Sequence, residues 1–305
     1  MRLSRWGRSP YETDADIRLE SEALARLVTL VPERADAEIV VVHSKIPMGP
    51  TQHGQAPSLR MILTTTSGTD HIDLDHFEER GIVVGRLAEA RRDAVVDATI
   101  AKLIWGLRRL GPLQQAAARG EWARSDLPAL APIGLRGARV GLVGLGVIGR
   151  CVATVLAALG CEVWGSDPAG LPEGVQAASV EEMLGHCDAI SLHCDLNDST
   201  VGLLGSTRLP LCHPDLVIVN TARGELVDVK IALTMLGDDR LGALALDVFP
   251  AEPWDTMAQS DGRVLFTPHA AGFHTDLSKK IRDGLCSAVT AFLNQQPIPH
   301  RVYPG

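Results

Sequence analysis

The feature that most constrains the fold is a set of spaced glycines placed directly after an apolar segment. The apolar segment is Arg139–Val143, and Gly144, Gly146 and Gly149 follow it in a Gly-x-Gly-x-x-Gly pattern. Alone this pattern is weak, because many chains contain it by chance. Here the preceding run predicts a strand and Val147–Leu159 predicts a helix, which is the context in which such a loop binds a dinucleotide. We therefore expect one strand–turn–helix unit of a nucleotide-binding sheet.

The loop residues expected to contact the cofactor are Gly144, Gly146, Val147, Ile148 and Gly149. The glycines allow a tight turn, close approach of the backbone to a pyrophosphate and close helix–strand packing. The amides after Gly146 face the phosphates at the positive end of the helix. Asp167 stands 18 residues beyond Gly149, where an acid accepts hydrogen bonds from the ribose of NAD and repels the extra phosphate of NADP. Since no arginine follows it directly, NAD is the expected cofactor.

Strand-like and helix-like segments alternate along the chain, a pattern typical of parallel sheets with helices on both faces. The expected strands are Glu38–His43, Leu59–Thr65, Gly81–Gly85, Ala138–Val143, Cys161–Ser166, Ala189–His193, Leu216–Asn220, Leu241–Asp247 and Val264–Thr267. The expected helices are Asp14–Leu30, Asp73–Arg80, Asp93–Leu110, Val147–Leu159 and Asp276–Asn294, with a loop at 111–137. The series from Ala138 onward predicts a doubly wound nucleotide-binding domain, and 305 residues leave room for a second domain.

Composition and charge argue against several classes of function. A formal charge of −8 and a pI near 5.7 leave no basic surplus for binding nucleic acid. The six cysteines form no C-x-x-C pair, which favours reduced thiols and makes a structural zinc site unlikely, so we expect no metal. The N-terminus does not resemble a secretory signal, and no window reaches the roughly 18 apolar residues that span a membrane. A cytoplasmic protein is expected.

Three polar side chains follow strands of the second series, namely Arg223, Glu252 and His269. Open α/β sheets bind ligands outside the carboxyl ends of their strands. Histidine is the natural proton donor near neutral pH, and a carboxylate within hydrogen-bond reach favours its charged form. A guanidinium group binds a carboxylate in a fork and polarises a keto oxygen. These parts suffice for nicotinamide-dependent interconversion of a 2-keto acid and a 2-hydroxy acid by hydride transfer.

Each of these three residues also has a simpler explanation when it is considered alone. An arginine after a strand is more often a surface ion-pair partner, and a glutamate in a proline-containing loop is usually solvated. A lone histidine is more often a structural residue with satisfied hydrogen bonds. The order glycine loop, arginine, glutamate, histidine makes coincidence much less probable than any one residue does.

The chain resembles the D-isomer-specific 2-hydroxyacid dehydrogenase family over essentially its whole length. The matching stretches are Thr66–Asp73, Gly144–Gly149, Leu192–Leu196, Asn220–Asp228, Leu246–Pro253 and Thr267–His269. The resemblance implies that His269 is the acid/base, that Glu252 tunes it and that Arg223 binds substrate. It also implies that the backbone amides of Ser67 and Gly68 bind the substrate carboxylate. The further cofactor contacts that it implies are His193, Thr221 and Asp247, of which Asp247 orients the nicotinamide carboxamide.

The same resemblance implies two doubly wound parallel-sheet domains, with a Rossmann cofactor domain inserted in a flavodoxin-like substrate domain. The substrate domain is then discontinuous, at 1–95 and 272–305, and the NAD-binding Rossmann domain occupies 96–271. In the family the active cleft lies between the two domains. Its members are usually homodimers joined through the cofactor domains, so we expect dimer contacts in 111–137.

One segment departs from the family pattern. Arg86–Arg92 stands where many members read Asn-Thr-Pro-Gly-x-Asn. One hypothesis is that this segment and Lys45 face the cleft and bind a second anionic group of the substrate, such as a phosphate or phosphonate. The simpler explanation, arginines solvated at the surface, is the favoured one.

Other activities within this family and fold stay open. A corepressor-like NAD(H) sensor would retain the same three residues, and the discriminating observation is turnover of any 2-keto acid. Formate-oxidising relatives carry an amide residue in place of Glu252, so formate oxidation is disfavoured. Phosphite-oxidising relatives carry a lysine in place of Ser67, and phosphite oxidation stays open in principle. The sequence does not identify the 2-hydroxy acid: glyoxylate, hydroxypyruvate and D-lactate types of activity are equally open.

Overall fold

The protein is represented by a computed structural model that describes residues 1–9, 11–255, 261–299 and 301–302. The chain divides into two compact units. The first unit comprises Met1–Arg92 and Phe273–Gly305, and the second comprises Asp93–Gly272. Each unit contains its own parallel sheet with helices.

Short strands and helices alternate along the described part of the chain. The strands are β1 (Arg2–Trp6), β2 (Thr29–Leu30), β3 (Ile39–Val42), β4 (Met61–Thr64), β5 (Val83–Arg86), β6 (Arg139–Val143), β7 (Glu162–Ser166), β8 (Gln176–Ala177), β9 (Ala189–Leu192), β10 (Val217–Asn220), β11 (Ala243–Leu246) and β12 (Val264–Phe266). The α-helices are α1 (Asp14–Leu24), α2 (Pro50–Gln55), α3 (Leu74–Glu78), α4 (Ala88–Leu107), α5 (Leu110–Ala118), α6 (Leu127–Leu130), α7 (Val147–Ala158), α8 (Val180–His186), α9 (Val229–Gly237) and α10 (Leu277–Leu293).

The sheet of the first unit has the strand order β2-β1-β3-β4-β5, and every pair is parallel. This is the flavodoxin-like order. Side chains of β3 alternate between its two faces: Ile39 and Val41 pack in the cluster that α10 covers, and Val40 and Val42 pack in the cluster that contains Phe77 of α3. Because both faces are buried, the central strands are continuous apolar runs.

The sheet of the second unit has the order β12-β11-β10-β9-β6-β7-β8, again with every pair parallel. It is the doubly wound dinucleotide-binding order, extended by the strand β12. Val217 and Val219 of β10 pack in the cluster that α4 and α7 cover, whereas Ile218 packs in the cluster that α8 and α9 cover. The second unit is therefore a Rossmann domain that is inserted, in sequence, into a flavodoxin-like unit, as the fold-class prediction states.

The carboxyl ends of six neighbouring strands of the second unit form one row. Their paired last residues are Ser166, Val143, Leu192, Asn220, Leu246 and Phe266. The residues that come next are Asp167, Gly144, His193, Thr221, Asp247 and Thr267. Each of these residues except Thr267 is expected, from the sequence, to contact the cofactor. Parallel pairing thus brings residues that are far apart in sequence to the edge where such sheets bind ligands.

Two expected helix ends are wrong. The helix expected at Asp14–Leu30 ends at Leu24, and Thr29–Leu30 is the edge strand β2. The β-branched Val28 and Thr29 lose side-chain freedom in a helix, which favours the extended conformation. α4 begins at Ala88 rather than at the expected Asp93. Alanine, glutamate and arginine all have high helix propensity, and this outweighs the mildly unfavourable position of arginines in a first turn.

The loop expected at 111–137 is also wrong, because α5 and α6 occupy much of it. Gly111 and Pro112 suggested a break in the chain. Proline, however, is tolerated in the first turn of a helix, and the alanine-rich run that follows favours a helix. The strand β1 was not expected either. Its two arginines, Arg2 and Arg5, interrupt the apolar pattern.

Candidate active site

The glycine loop has the geometry of a backbone cradle at the start of α7. Gly144 has a φ of +87°, and a Cβ there would lie 2.5 Å from the backbone nitrogen of Cys194. A Cβ on Gly149 would lie 2.1 Å from the carbonyl oxygen of Gly144. A Cβ on Gly146 would meet nothing within 4 Å, so the backbone there is open to an approaching group. The loop therefore fits a dinucleotide pyrophosphate, with Val147 as the first residue of the helix.

Asp167 is tied to this loop by its carboxylate. Its Oδ2 accepts the amide of Leu145 at 2.5 Å, and its Oδ1 accepts the amide of Ala169 at 2.7 Å. The carboxylate lines an open cavity of about 450 Å³, bounded also by Ser166 and by Ser179 and Glu182 of α8. An ionised carboxylate offers about four acceptor positions, so Asp167 retains capacity for ribose hydroxyls.

His193 is held beside the loop in a neutral form. Its backbone amide donates to the carbonyl of Val143 at 2.7 Å, and its Nε2 lies 3.0 Å from Oγ of Ser191. Burial lowers the pKa of His193 to about 4. The ring therefore carries no charge near neutral pH, and it contributes polar contacts rather than a cation.

The turn after β10 carries Arg223 and is fixed by a buried asparagine. The side chain of Asn220 accepts the amide of Ala222 at 3.0 Å and donates to the carbonyl of Arg223 at 2.7 Å. Asn220 has no exposed surface. The guanidinium group of Arg223 donates to the carbonyl of Ala222 at 2.8 Å. On the neighbouring residue, Oγ1 of Thr221 lies 3.0 Å from Oγ1 of Thr99 in α4.

A glycine joins the Arg223 turn to the loop that carries Glu252. A Cβ on Gly224 would lie 1.9 Å from the carbonyl carbon of Phe249, so only glycine fits this approach. The amide of Phe249 in turn donates to Oε1 of Glu252 at 3.2 Å. The two loops are thereby in direct backbone contact, although they lie about 25 residues apart in sequence.

Glu252 and His269 form the central pair of the site. Nδ1 of His269 lies 2.8 Å from Oε2 of Glu252 and 3.1 Å from Oε1. The side chains are 48% and 38% exposed, respectively, so the pair can be reached from solvent. Since a carboxylate only accepts hydrogen bonds, Nδ1 carries the proton that faces Glu252. Nε2 is then the ring nitrogen that can exchange a proton with another group.

The turn that presents His269 is held by Asp247. The amide of His269 donates to the carbonyl of Asp247 at 2.7 Å, and the next two amides, of Ala270 and Ala271, donate to its carboxylate at 3.0 and 2.8 Å. His269 has a φ of +53°, a left-handed conformation that costs a non-glycine residue about 1–2 kcal/mol. The three hydrogen bonds to one buried aspartate offset that cost and fix the direction of the imidazole.

The expected carboxylate contacts, Ser67 and Gly68, lie in the first unit, in the turn that follows β4. Oγ1 of Thr66 donates to the carbonyl of Gly68 at 3.1 Å, which closes the turn around Ser67. Arg86 donates to the carbonyl of Ser67 at 3.2 Å, and Arg91 donates to the carbonyl of Thr65. The guanidinium groups of Arg86 and Arg91 thus contact the backbone of this turn in their own unit.

Sequence reasoning assigned no role to four residues of the candidate site: Lys102, Asn220, Gly224 and Thr267. Nζ of Lys102 donates to Oγ1 of Thr267 at 2.7 Å, and that hydroxyl donates to Oδ1 of Asp247 at 2.5 Å. The available signal for Lys102 was one charged residue within an apolar helical run. No comparable signal marks Gly224, because the backbone that it approaches comes from a distant loop.

Within 1–9, 11–255, 261–299 and 301–302, no group of three or more His, Cys, Asp or Glu side chains is arranged to hold a metal ion. The six cysteines are free thiols. Burial raises the pKa of Cys187 and of Cys212 to about 12, so neither is a nucleophile near neutral pH.

None of the helices in the described part of the chain is long and apolar enough to cross a bilayer.

Comparison with known proteins identifies relatives of the whole chain. The sequence is 28% identical to D-3-phosphoglycerate dehydrogenase of Mycobacterium bovis over 92% of this chain and 53% of that protein. It is 31% identical to D-lactate dehydrogenase kk1H of Curvularia clavata over 88% of this chain and 73% of that protein. The chain spans about half the length of the D-3-phosphoglycerate dehydrogenases that it matches.

The fold has counterparts among solved structures. The crystal structure of a glyoxylate reductase from Paecilomyes thermophila superposes with a TM-score of 0.83 at 26% identity, covering 99% of this chain and 98% of that one. The sequence model for the D-isomer specific 2-hydroxyacid dehydrogenase NAD binding domain matches residues 100–271. That stretch is more than half of the chain, and it is the Rossmann unit with its glycine loop. NAD is accordingly the cofactor, and the chain belongs to the D-isomer-specific 2-hydroxyacid dehydrogenase family of oxidoreductases.

Proposed function

We propose that the protein is an NAD-dependent dehydrogenase that interconverts a 2-keto acid and a D-2-hydroxy acid. The observation that carries this proposal is the His269–Glu252 pair, with 2.8 Å between Nδ1 and Oε2. The loops that carry the pair begin at the same edge of the sheet as the glycine loop and the Arg223 turn. An acid/base, a guanidinium group and a dinucleotide cradle at one edge are the parts that this reaction requires.

His269 is the proposed acid/base. NAD, when bound, accepts a hydride from the hydroxy acid or, as NADH, donates one to the keto acid. During reduction, Nε2 of His269 gives its proton to the oxygen that becomes the hydroxyl, and during oxidation it takes that proton back. Glu252 accepts a hydrogen bond from Nδ1–H of His269, which orients the ring.

Arg223 is the proposed substrate residue on the same edge. Its planar guanidinium group binds the substrate carboxylate and polarises the keto oxygen, which an ammonium group does less well because it lacks the fork. For Ser67 and Gly68 we propose the role that the family resemblance implies, donation of backbone amides to the carboxylate. Both residues lie in the substrate domain, which we propose to comprise 1–95 and 272–305.

The remaining residues are proposed to bind the cofactor. Asp167 accepts the ribose hydroxyls, and the loop amides of Val147 and Ile148 donate to the pyrophosphate. His193 and Thr221 provide polar contacts near the nicotinamide end. Asp247 orients the carboxamide, and its carboxylate, which accepts three hydrogen bonds within the chain, has about one further acceptor position for that group.

The experiment that tests this function is a panel of 2-keto acids with NADH. Glyoxylate, hydroxypyruvate and pyruvate are the first members, and consumption of NADH is followed at the nicotinamide absorbance band. In the reverse direction, D- and L-2-hydroxy acids are compared with NAD. The proposal requires turnover of at least one keto acid and oxidation of the D isomer only. Tight NADH binding without turnover of any member would instead support an NAD(H)-sensing, corepressor-like protein.

A second candidate is a dehydrogenase for a phosphorylated or phosphonate-bearing 2-hydroxy acid. The identity to D-3-phosphoglycerate dehydrogenases favours it, as does the row of arginines in Arg86–Arg92. Arg86 and Arg91 already donate to backbone carbonyls, which leaves less of their hydrogen-bonding capacity for a phosphate. Adding keto acids with a distal phosphate to the panel, with wild type and the Arg91→Ala/Arg92→Ala variant, tests this candidate. Equal kinetics of both proteins on every anionic substrate would exclude it.

We also propose a cytoplasmic homodimer that associates through the Rossmann unit. The segment 111–137, where contacts are expected, includes Trp122 with 86% of its surface exposed and adjoins Leu110 with 43% exposed. Large exposed apolar side chains of this kind are typical of association surfaces. Light scattering after gel filtration tests the dimer, and Trp122→Glu is expected to shift it toward the monomer. A wild-type monomer at micromolar concentration would contradict the proposal.

A further inference from the structure

Lys102, a buried lysine of α4, contacts Thr267, which lies beside the turn that presents His269. Lys102 is 5% exposed and lies within an otherwise apolar stretch of the helix. Its ammonium group donates to Oγ1 of Thr267 at 2.7 Å. Burial lowers the pKa of Lys102, and the nearby Asp247 carboxylate opposes that shift. A buried ammonium group is costly, so its retention here points to a task beyond packing.

The hydrogen bonds continue from Lys102 to His269 without a gap. The Thr267 hydroxyl accepts from Lys102 and donates to Oδ1 of Asp247. Asp247, which is 1% exposed, receives the amides of Ala270 and Ala271 on its carboxylate and the amide of His269 on its carbonyl. Each hydrogen bond restricts the orientation of the next group in the series. Hydrogen bonds connected in this way also strengthen one another.

The turn at His269 needs this support more than an ordinary turn does. Its left-handed φ of +53° is intrinsically unfavourable for a histidine. The turn also presents the imidazole to solvent, where few packing contacts restrain it, since the side chain is 48% exposed. Asp247 holds the turn with three hydrogen bonds to successive backbone amides. The Thr267 hydroxyl, which donates to Oδ1, orients the Asp247 carboxylate.

We propose that Lys102 is a positioning residue for the acid/base: through Thr267 it fixes Asp247, and through Asp247 it fixes the turn that presents His269. Thr99, one turn earlier on the same face of α4, contacts Thr221 of the neighbouring turn in a similar way. The inference rests on the proposed function for the role of His269. The link from Lys102 to the turn does not depend on it.

The test is a double-mutant cycle with Lys102→Met and Thr267→Val, in which each substitution removes one polar group at nearly constant volume. Each single variant is expected to lower kcat for keto-acid reduction by about 10- to 100-fold, because small misplacements of a catalytic group have effects of that order. The double variant is expected to match the single variants, since both break the same chain of hydrogen bonds. Thr267→Ser restores the hydroxyl and is expected to retain near wild-type kcat. Lys230→Met, an exposed lysine of the same unit, is the matched control and is expected to be unchanged.

A second readout does not require turnover. Hydrogen exchange of the 264–273 segment, measured on the protein without added ligand, is expected to be faster in Lys102→Met and Thr267→Val than in wild type. The thermal midpoint of Lys102→Met is expected to stay close to wild type, because methionine fills the volume without the cost of a buried charge. If Lys102→Met fails to fold, the Thr267→Val and Thr267→Ser pair gives the same comparison.

Two results would overturn the inference. One is a Lys102→Met protein with wild-type kcat and wild-type exchange in the 264–273 segment. The other is a double variant whose loss in kcat is the product of the two single losses, which would mean that the two residues act independently. Altered exchange in a protein that reduces no keto acid would retain the positioning role and instead contradict the proposed function.

Discussion

The Oε2 atom of Glu252 lies 2.8 Å from Nδ1 of His269, and the same carboxylate accepts the amide of Phe249 through Oε1. One side chain therefore fixes both the histidine ring and the loop in which the glutamate itself stands. That loop contacts the Arg223 turn through Gly224. The proposed acid/base residue and the proposed substrate residue are thus held by one continuous set of contacts within the Rossmann unit.

Replacing Glu252 with glutamine separates orientation from charge. The amide oxygen can still accept a hydrogen bond from Nδ1–H, but the side chain no longer carries a negative charge. We expect Glu252→Gln to lower kcat by about 10- to 100-fold, a smaller loss than the 10²–10⁴-fold typical of removing an acid/base itself. Steady-state kinetics with the best keto acid of the panel measure this. Unchanged kcat at every pH would mean that the charge of Glu252 plays no part.

The fork of Arg223 is tested by a substitution that keeps its charge. Arg223→Lys is expected to raise KM for the keto acid and to lower kcat/KM by about 10²–10³-fold, because an ammonium group cannot bind a carboxylate in two parallel hydrogen bonds. The affinity for NADH is expected to be unchanged. Arg240→Lys, at an exposed position of the same unit, is the control. Equal losses in both variants would count against a specific role.

The lowered pKa of His193 predicts an acid sensitivity with a defined sign. An unfolded histidine has a pKa of about 6.5, and burial lowers that of His193 to about 4. Between these values the unfolded chain binds a proton that the folded chain does not, so stability is lost as pH falls from about 6.5 to about 4. His193→Asn lacks this titration. Denaturant unfolding across the window is expected to show wild type losing stability relative to the variant, and a constant difference would contradict the assignment.

Gly224 is expected to tolerate no side chain. Gly224→Ala places a Cβ 1.9 Å from the Phe249 backbone, so the Arg223 turn and the Glu252 loop must separate. We expect a loss of about 1–3 kcal/mol in the free energy of unfolding, together with a large loss of kcat. Gly185→Ala in α8 is the control, because a Cβ there meets nothing within 4 Å and alanine favours helix by about 1 kcal/mol. Similar stability of the two variants would show that the close approach is unimportant.

The sequence predicted the parts of the site that depend on strand ends. The glycine loop, Asp167 and the histidine turn each follow a strand directly, and parallel pairing brings strand ends together whatever their separation in sequence. The strands themselves were predictable because both faces of each sheet are buried, which leaves continuous apolar runs.

The contacts between loops were not predictable from the sequence. Gly224 against Phe249 depends on two turns whose paths are set by tertiary packing, and a single glycine carries no sign of its neighbour. Lys102 is similar, since its partner Thr267 is more than 160 residues away. The helices in 111–137 were missed for a local reason: Gly111 and Pro112 suggested a break, although the alanines after them favour a helix.

The role of His269 is the central claim, and one comparison tests it most directly. His269→Gln and wild type are compared for NADH affinity by fluorescence and for kcat of keto-acid reduction. The account predicts unchanged NADH affinity and a kcat lower by about 10²–10⁴-fold in the variant. A variant that binds NADH and reduces the keto acid at the wild-type rate would contradict it.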